Sequence, residues 1–274
     1  MSNKRRATEG KVKKLLWGKF GELNPNIHFN EDGYVKDVKV NLLDDIPEDA
    51  LNLIIKELEQ GGGQELKKKF FAIHSSAALV VNVFGYWKKC PDRFKFLGHT
   101  GFILMEFEKK LPTGLQGTPP NLDLFLENDK AVFGIESKFT EILTTTKAEF
   151  SRSYCPEKLP YLKGEFFEII NEYENQKLYL DVAQLIRHSI GLIKKYQGEK
   201  EIHLVYLYWL PQNYQNFEKY ENHNKELAEF SEKIKKTGIN FISMSYLDLW
   251  DDLSKDESNK PHIEKVKDRY LIEV

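Results

Sequence analysis

Three charged residues lie inside apolar segments near the middle of the chain. Asp123 is in the run NLDLFLE, and Glu136 and Lys138 are in the run AVFGIESK. A short polar segment joins the two runs, which is typical of two strands of a β-hairpin. Because side chains two positions apart on a strand point to the same face, Glu136 and Lys138 project together. Burial of such charges is unfavourable without a purpose, so the pattern indicates a site.

The chemistry of such a site follows from the residue types. Two carboxylates on adjacent strands can share a hard divalent cation such as Mg2+, with water and the carbonyl of residue 137 as further ligands. Lys138 could orient or deprotonate the attacking water, or stabilise charge on the phosphorus. These groups suffice to hydrolyse a phosphodiester. Two simpler interpretations are an ordinary Glu136–Lys138 salt bridge on an edge strand and a turn-capping role for Asp123.

The flanking segments predict the elements that position these residues. Helices are predicted at 64–87, 161–173, 178–196 and 217–236, strands at 101–110, 121–127, 131–139, 201–210 and 240–245, and a helical turn at 246–253. The three consecutive strands predict an antiparallel meander packed on a buried helix. This order indicates an α/β fold with a mixed sheet. Neither a P-loop nor a G-x-G-x-x-G motif occurs, so no nucleotide cofactor is expected.

Residues 1–62 are predicted to be an N-terminal helical extension, and residues 63–274 the main domain. Amphipathic helices are expected at 11–20 and 47–58, and the glycine run that begins at Gly61 marks the boundary. The first helix has a basic tip. A solvated helix that packs on the domain is the simpler interpretation of this tip, and a nucleic-acid contact is the alternative.

The composition limits the class of protein. A chain of 274 residues with 41% hydrophobic residues can form one large domain, or one domain with an extension. The 40 basic and 42 acidic residues nearly cancel, so a basic groove for nucleic acid is neither required nor excluded. Two cysteines without metal-ligand spacing argue against a disulfide framework or a structural zinc site. With no signal peptide and no apolar run of membrane-spanning length, a cytoplasmic protein without a membrane partner is expected.

The hairpin resembles a known nuclease superfamily. A short strand that contains Asp123, a tight turn and the tetrapeptide IESK, which includes Glu136 and Lys138, are similar to the PD-(D/E)xK superfamily. The resemblance covers the order of elements from about residue 64 to 250. The segments SSAALVVNVFG, TPPNLD, GIESKFTE and DVAQLIRH also resemble a bacterial subfamily of restriction-endonuclease-like proteins. This resemblance implies a restriction-endonuclease-like mixed sheet flanked by helices, with an α-βββ-α-β core.

The resemblance also implies roles for individual residues. Asp123 and Glu136 would be metal ligands for Mg2+, with Mn2+ as a substitute, and Lys138 would be the catalytic lysine. Gln184 fits a glutamine that some relatives carry in the helix after the lysine strand. Glu106 or Glu108 could supply a further carboxylate, and Glu108 is favoured.

The chain departs from the superfamily pattern in two places. Its first core helix offers Ser75, Ser76 and Asn82 where relatives often have an acidic residue. The superfamily's Pro-Asp dipeptide is loosened to the segment 120–123, PNLD. The owner of an additional metal-binding carboxylate is therefore open.

The functional hypothesis is a Mg2+-dependent nuclease that hydrolyses DNA, of the restriction or phage-defence type. DNA phosphates would be bound by Lys67, Lys109, Lys147 and Arg187, and His188 could also contact a phosphate. Cleavage of both strands of a duplex would favour a homodimer. The alternative is a non-catalytic nucleic-acid-binding or assembly module that retains the nuclease fold. A hydrolase of smaller phosphoesters has little support, because no nucleotide-binding motif is present.

Overall fold

A computed structural model describes residues 8–61 and 69–274 of the chain. The helices are α1 (Glu9–Leu23), α2 (Glu48–Gln60), α3 (Ser76–Phe84), α4 (Gly164–Tyr173), α5 (Val182–Tyr196), α6 (Glu218–Ile234), α7 (Tyr246–Leu253) and α8 (Lys260–Tyr270). The strands are β1 (Leu104–Lys110), β2 (Asn121–Glu127), β3 (Ala131–Lys138), β4 (Thr146–Lys147), β5 (Lys177–Leu178), β6 (Glu201–Tyr208) and β7 (Asn240–Ser245). None of these helices is long and apolar enough to cross a membrane.

The central sheet has five strands in the order β1-β2-β3-β6-β7. The first three strands form an antiparallel meander, whereas β6 and β7 run parallel to β3. A separate two-stranded sheet consists of β4 and β5. The parallel strands are connected through helices, as parallel pairing requires. The predicted α/β fold with a mixed sheet and an α-βββ-α-β core is confirmed.

Apolar layers cover both faces of the sheet. In β6, Val205 and Leu207 belong to one layer and Leu204 and Tyr206 to the other, which is the alternation expected of a buried strand. The first layer contains all the apolar residues of α3, and the second contains those of α4 and α5. The sheet is therefore sandwiched between helices, and polar residues on its strands stand out as candidates for function.

The helices of the predicted extension share a core with the sheet. Val12 and Leu16 of α1 and Ala50 and Ile54 of α2 are buried in the same apolar layer as α3. Asn82 of α3 fixes the segment after α1, since its amide oxygen accepts the N–H of Leu43 at 2.8 Å. The division at residues 62 and 63 stays a prediction, and these two residues lie outside the described ranges.

Several elements differ from the sequence-based expectation. The small strands β4 and β5 were not predicted, and α5 begins at Val182 rather than at residue 178. Of the helix predicted over 64–87, the described residues form an α-helix only from Ser76 to Phe84, with short 3-10 turns at Lys69–Phe71 and Gly85–Trp87. The helix begins at Ser76 because Ser75 has an extended backbone and its hydroxyl accepts the N–H of Ala78. Serine is a strong helix N-cap, so the helix begins directly after Ser75, later than the sequence pattern predicted. Helix α8 was not predicted. It has few apolar residues, and its helical pattern is carried by Ile263, Val266 and Tyr270 alone.

The packing of α5 against the chain after β1 leads to a stability prediction. A Cβ at Gly191 would lie 2.6 Å from the carbonyl oxygen of Leu111, closer than real Cβ contacts allow. Gly191→Ala is therefore expected to lower the free energy of unfolding by about 1–3 kcal/mol, measured by urea denaturation. Gly18→Ala, at an exposed position of α1, is the matched control. Nothing lies near its Cβ, so it should be stabilising by up to about 1 kcal/mol. Equal effects of the two changes would contradict this close approach.

Candidate active site

The hairpin of β2 and β3 opens at the end where the predicted residues lie. Its ladder runs from Glu127 opposite Val132 to Leu124 opposite Ile135, and pairing stops there. Beyond this point the N–H of Ser137 in β3 has a side-chain partner in β2 instead of a backbone carbonyl: it donates a hydrogen bond to Oδ2 of Asp123 at 2.6 Å. The strands therefore separate at Asp123, which leaves room for side chains between them.

A backbone distortion in β1 accompanies this opening. The ladder pairs Phe107 with Leu124 and Lys109 with Leu122, and the intervening Glu108 has φ = 53° in the left-handed region. This conformation costs a non-glycine residue about 1–3 kcal/mol and is concentrated at functional sites. Leu122 and Leu124 consequently lie in opposite apolar layers, although they are two positions apart. Asp123, the residue between these two leucines, lines the cavity at this opening.

Glu136 lies at the centre of the polar network and is buried. Its Oε1 is 2.6 Å from Nζ of Lys138, and its Oε2 is 2.8 Å from Nε2 of His188 on α5. Burial alone would raise the pKa of Glu136, but the attraction of Lys138 and the hydrogen bond of His188 outweigh it and lower this pKa to about 2. Glu136 is therefore an anion at neutral pH. The predicted common face of Glu136 and Lys138 is observed.

Lys138 is held between β3 and α5. Its Nζ donates a hydrogen bond to Oε1 of Gln184 at 2.6 Å. Gln184 is in the first turn of α5, where its N–H is capped by the side chain of Asp181 at 2.9 Å. Burial works to lower the pKa of Lys138, but attraction to Glu136 and other carboxylates outweighs it and raises this pKa above its usual value. The ammonium group is therefore charged and fixed.

The pKa of Asp123 is shifted in the opposite direction to the pKa of Glu136. Burial raises its pKa well above the usual value, and repulsion from Glu136 and Glu108 raises it further. Lys138 and the N–H of Ser137 act in the other direction without reversing the shift. Three carboxylates are thus close enough to repel one another, which is the arrangement that a divalent cation would relieve. Glu108 also accepts a hydrogen bond from the amide of Asn121 at 3.1 Å.

These residues line one cavity of about 530 Å³. Its carboxylates are Glu9, Glu108, Asp123, Glu136 and Glu141, its lysines are Lys13, Lys69 and Lys138, and Gln184, His74, Ser75 and Ser76 also contribute. The cavity therefore brings together Glu108 and all four predicted catalytic side chains. It also includes residues of α1, so the predicted extension forms part of its wall. Asn82 of α3 is not in the cavity but ties helices and loops together.

Two residues of the site were not assigned these places from the sequence. His188 was a candidate for contacting a phosphate, but it is fully buried and its Nε2 forms a hydrogen bond with Glu136. Glu141 accepts hydrogen bonds from the hydroxyl of Ser76 at 2.8 Å and from the N–H of Phe139 at 2.7 Å. It thus connects the start of α3 to the end of β3. The segment GIESKFTE contains Glu141, but spacing alone could not indicate this contact.

The four predicted DNA-binding residues are dispersed. Lys67 lies outside the described residues. Lys109 is 2.5 Å from a carboxylate oxygen of Glu106, and it does not line the cavity. Lys147 is partly exposed on β4 and lies 3.2 Å from Glu149. Arg187 lines a neighbouring cavity of about 250 Å³, which shares Pro119 with the first. Their role in DNA binding stays a prediction.

Comparison with known proteins gives one result. Residues 22–271 match the family described as Restriction Endonuclease associating with ARP. No curated protein and no solved structure matches the chain significantly. The family match covers nearly the whole chain and includes the sheet, the hairpin and α5, so the predicted restriction-endonuclease-like relationship is confirmed. The chain belongs to the family of restriction endonucleases associating with ARP.

Proposed function

We propose that this protein is a Mg2+-dependent endonuclease that hydrolyses phosphodiester bonds of DNA in the cytoplasm, as part of restriction or phage defence. One observation carries the proposal: Asp123, Glu136, Lys138 and Gln184 converge on one cavity at the open end of the β2–β3 hairpin. Membership of a family named for restriction endonucleases supports a nuclease and, with it, DNA as the substrate.

The donor set fits a hard divalent cation. Asp123, Glu136 and Glu108 would hold it, because carboxylate oxygens are the ligands that Mg2+ prefers. Burial and then repulsion from Glu136 and Glu108 raise the pKa of Asp123, and a bound cation would relieve both effects. When bound, the ion supplies positive charge at the phosphate oxygens and acts as a Lewis acid. Mn2+ has similar ligand preferences and is expected to substitute for Mg2+.

Lys138 has a role separate from that of the metal ion. Because the pKa of Lys138 is raised, its ammonium group is charged at neutral pH and donates hydrogen bonds. A charged ammonium group can orient the attacking water and stabilise negative charge on the pentacoordinate phosphorus. It cannot take a proton from that water, so these two roles are favoured over that of a general base. Gln184 accepts one hydrogen bond from the ammonium group and so fixes its direction. His188 holds the other side of Glu136 and acts as a positioning residue.

The balance of charge in the cavity indicates how DNA would enter. Five acidic side chains and three lysines line it, so the acidic groups outnumber the lysines even with Asp123 protonated, and without a cation the cavity repels phosphate. DNA binding at the site should therefore depend on a divalent cation, in addition to lysine and arginine contacts outside it.

The test is cleavage of supercoiled plasmid, single-stranded DNA and RNA by the full chain. We expect nicked or linear plasmid with Mg2+ or Mn2+ and no cleavage in EDTA. Cleavage that persists in EDTA would contradict the metal requirement, and cleavage of RNA alone would contradict the substrate. Cation-independent DNA binding without cleavage under any of these conditions would favour the non-catalytic module. Sedimentation of the DNA complex would show whether two copies act on one duplex.

A further inference from the structure

A second polar cluster lies at the other end of the sheet. It consists of His99, which precedes β1, and Glu201 and His203 at the start of β6. One ligand atom from each residue lies within 4.8 Å of the others. On β3, the neighbour of His203 is Phe133, three residues before Glu136 and directed to the opposite face. The cluster is therefore separate from the proposed nuclease site, by about 10 Å along the strand.

His203 is the residue that requires an explanation. It is 7% exposed, and neither of its ring nitrogens has a hydrogen-bond partner in the described part of the chain. Its Nε2 nevertheless points toward Oε1 of Glu201, at 3.4 Å. Nδ1 has no partner among the described residues, and Nε2 has only this long contact with Glu201. A buried ring nitrogen without a hydrogen bond is unfavourable by about 1–3 kcal/mol, so binding of a ligand would give this arrangement a direct physical reason.

The surroundings hold the three side chains in place. The ring of His203 stacks on Phe133 with centroids 4.4 Å apart, and His99 packs edge-on against the same ring at 4.9 Å. His99 is fixed by paired backbone hydrogen bonds to Phe96, around a turn with two left-handed residues. The carboxylate of Glu201 accepts a hydrogen bond from the amide of Asn240 at 3.1 Å, which is a typical outer partner for a metal-binding carboxylate.

We propose that His99, Glu201 and His203 bind a late first-row divalent metal ion of the Zn2+ class. Two imidazoles and one carboxylate are a common zinc ligand set and leave a fourth position for water. Ligands about 2.0–2.1 Å from a tetrahedral ion lie about 3.4 Å from one another, so the present cluster needs only a small inward rotation. Exposed Glu201 and half-buried His99 can make this movement.

The bound ion would connect two distant parts of the chain. His99 and His203 are separated by 104 positions, the difference of their residue numbers, so cysteine and histidine spacing in the sequence gave no sign of a site. The ion would link His99, in the turn before β1, to Glu201 and His203 at the start of β6. It would therefore stabilise the fold, and the proposal does not depend on nuclease activity.

The test uses the full chain stripped of metal and dialysed against Zn2+ in excess Mg2+. Oxygen-rich sites take Mg2+, whereas nitrogen ligands select Zn2+, so the excess suppresses binding at Glu136. We expect one Zn2+ per chain and a higher melting temperature. His99→Asn and Glu201→Gln should each weaken Zn2+ binding by roughly 100-fold or more, since even the loss of an outer partner weakens it roughly 10–100-fold. Both residues are at least partly exposed, so these variants should fold.

His28→Asn, at an exposed histidine outside the cluster, is the matched control and should bind Zn2+ as the unchanged protein does. The proposal is overturned if the unchanged protein binds no Zn2+ in excess Mg2+. It is also overturned if His99→Asn and Glu201→Gln bind Zn2+ with the affinity of the control, because the ion would then lie elsewhere.

Discussion

Lys138→Met is expected to lower the rate of DNA cleavage by about 10²–10⁴-fold, with little change in the fold. Removal of one charged hydrogen-bond donor or one proton-transfer group from a reaction centre typically lowers the rate by a factor in this range. Methionine preserves most of the length of the side chain and loses only the ammonium group. Glu136 keeps its buried contact with His188, so the carboxylate is not left without a partner. The measurement is the single-turnover rate on supercoiled plasmid with saturating Mg2+.

Lys255→Met is the matched control for this change. Lys255 follows α7, its side chain is 78% exposed, and its partner Asp252 is also at the surface. Its replacement should leave the cleavage rate within about twofold, because exposed ion pairs contribute little. If both variants cleave equally fast, Lys138 has no part in the chemistry. If Lys138→Met also fails to bind DNA, its charge acts in substrate binding rather than in the transition state.

The hairpin was the most predictable part of this protein. Two short apolar runs joined by a polar segment placed β2 and β3, and the two-residue period of a strand placed Glu136 and Lys138 on one face. These are local properties, so they can be inferred without knowledge of the rest of the chain. The helix α5 was predictable for the same reason, whereas the choice of Gln184 rested on the resemblance to the nuclease superfamily.

The partners of the site residues were not predictable, because they depend on contacts between distant segments. His188 lies four positions after Gln184 and was a candidate for contacting a phosphate, yet it is buried and contacts Glu136 of β3. The left-handed backbone of Glu108 breaks the alternation in β1 and decides that this residue lines the cavity. No single-residue propensity indicates such a conformation for glutamate. The preference for Glu108 over Glu106 therefore had a weak basis in sequence alone.

Asp123→Asn is expected to stabilise the metal-free protein at neutral pH and to abolish cleavage. In the native state burial and the neighbouring carboxylates raise the pKa of Asp123, whereas in the unfolded chain it ionises in the ordinary carboxyl range. As the pH rises above that range, the unfolded state loses the proton first, so the free energy of unfolding falls. Asparagine does not titrate, and its side-chain oxygen can still accept the N–H of Ser137.

The free energy of unfolding, measured by urea denaturation in EDTA, should be about 0.5–2 kcal/mol higher for Asp123→Asn at neutral pH. This advantage should disappear as the pH falls below the ordinary carboxyl range. Asp129→Asn, in the exposed turn of the same hairpin, should show no such pH-dependent gain. A variant that is less stable than the unchanged protein at neutral pH would mean that the ionised carboxylate is favourable in the native state.

Mg2+ should reverse the order of stability of these two proteins. The unchanged protein gains about 2.7 kcal/mol when the free ion is at one hundred times its dissociation constant, because only the native state binds it. The asparagine variant has lost one ligand and should gain much less. A carboxylate that is unfavourable alone and favourable with a cation is what a metal-dependent nuclease requires, since the same repulsion that lowers stability raises the affinity for the ion. If Mg2+ stabilises both proteins equally, Asp123 is not a ligand and the repulsion has another cause.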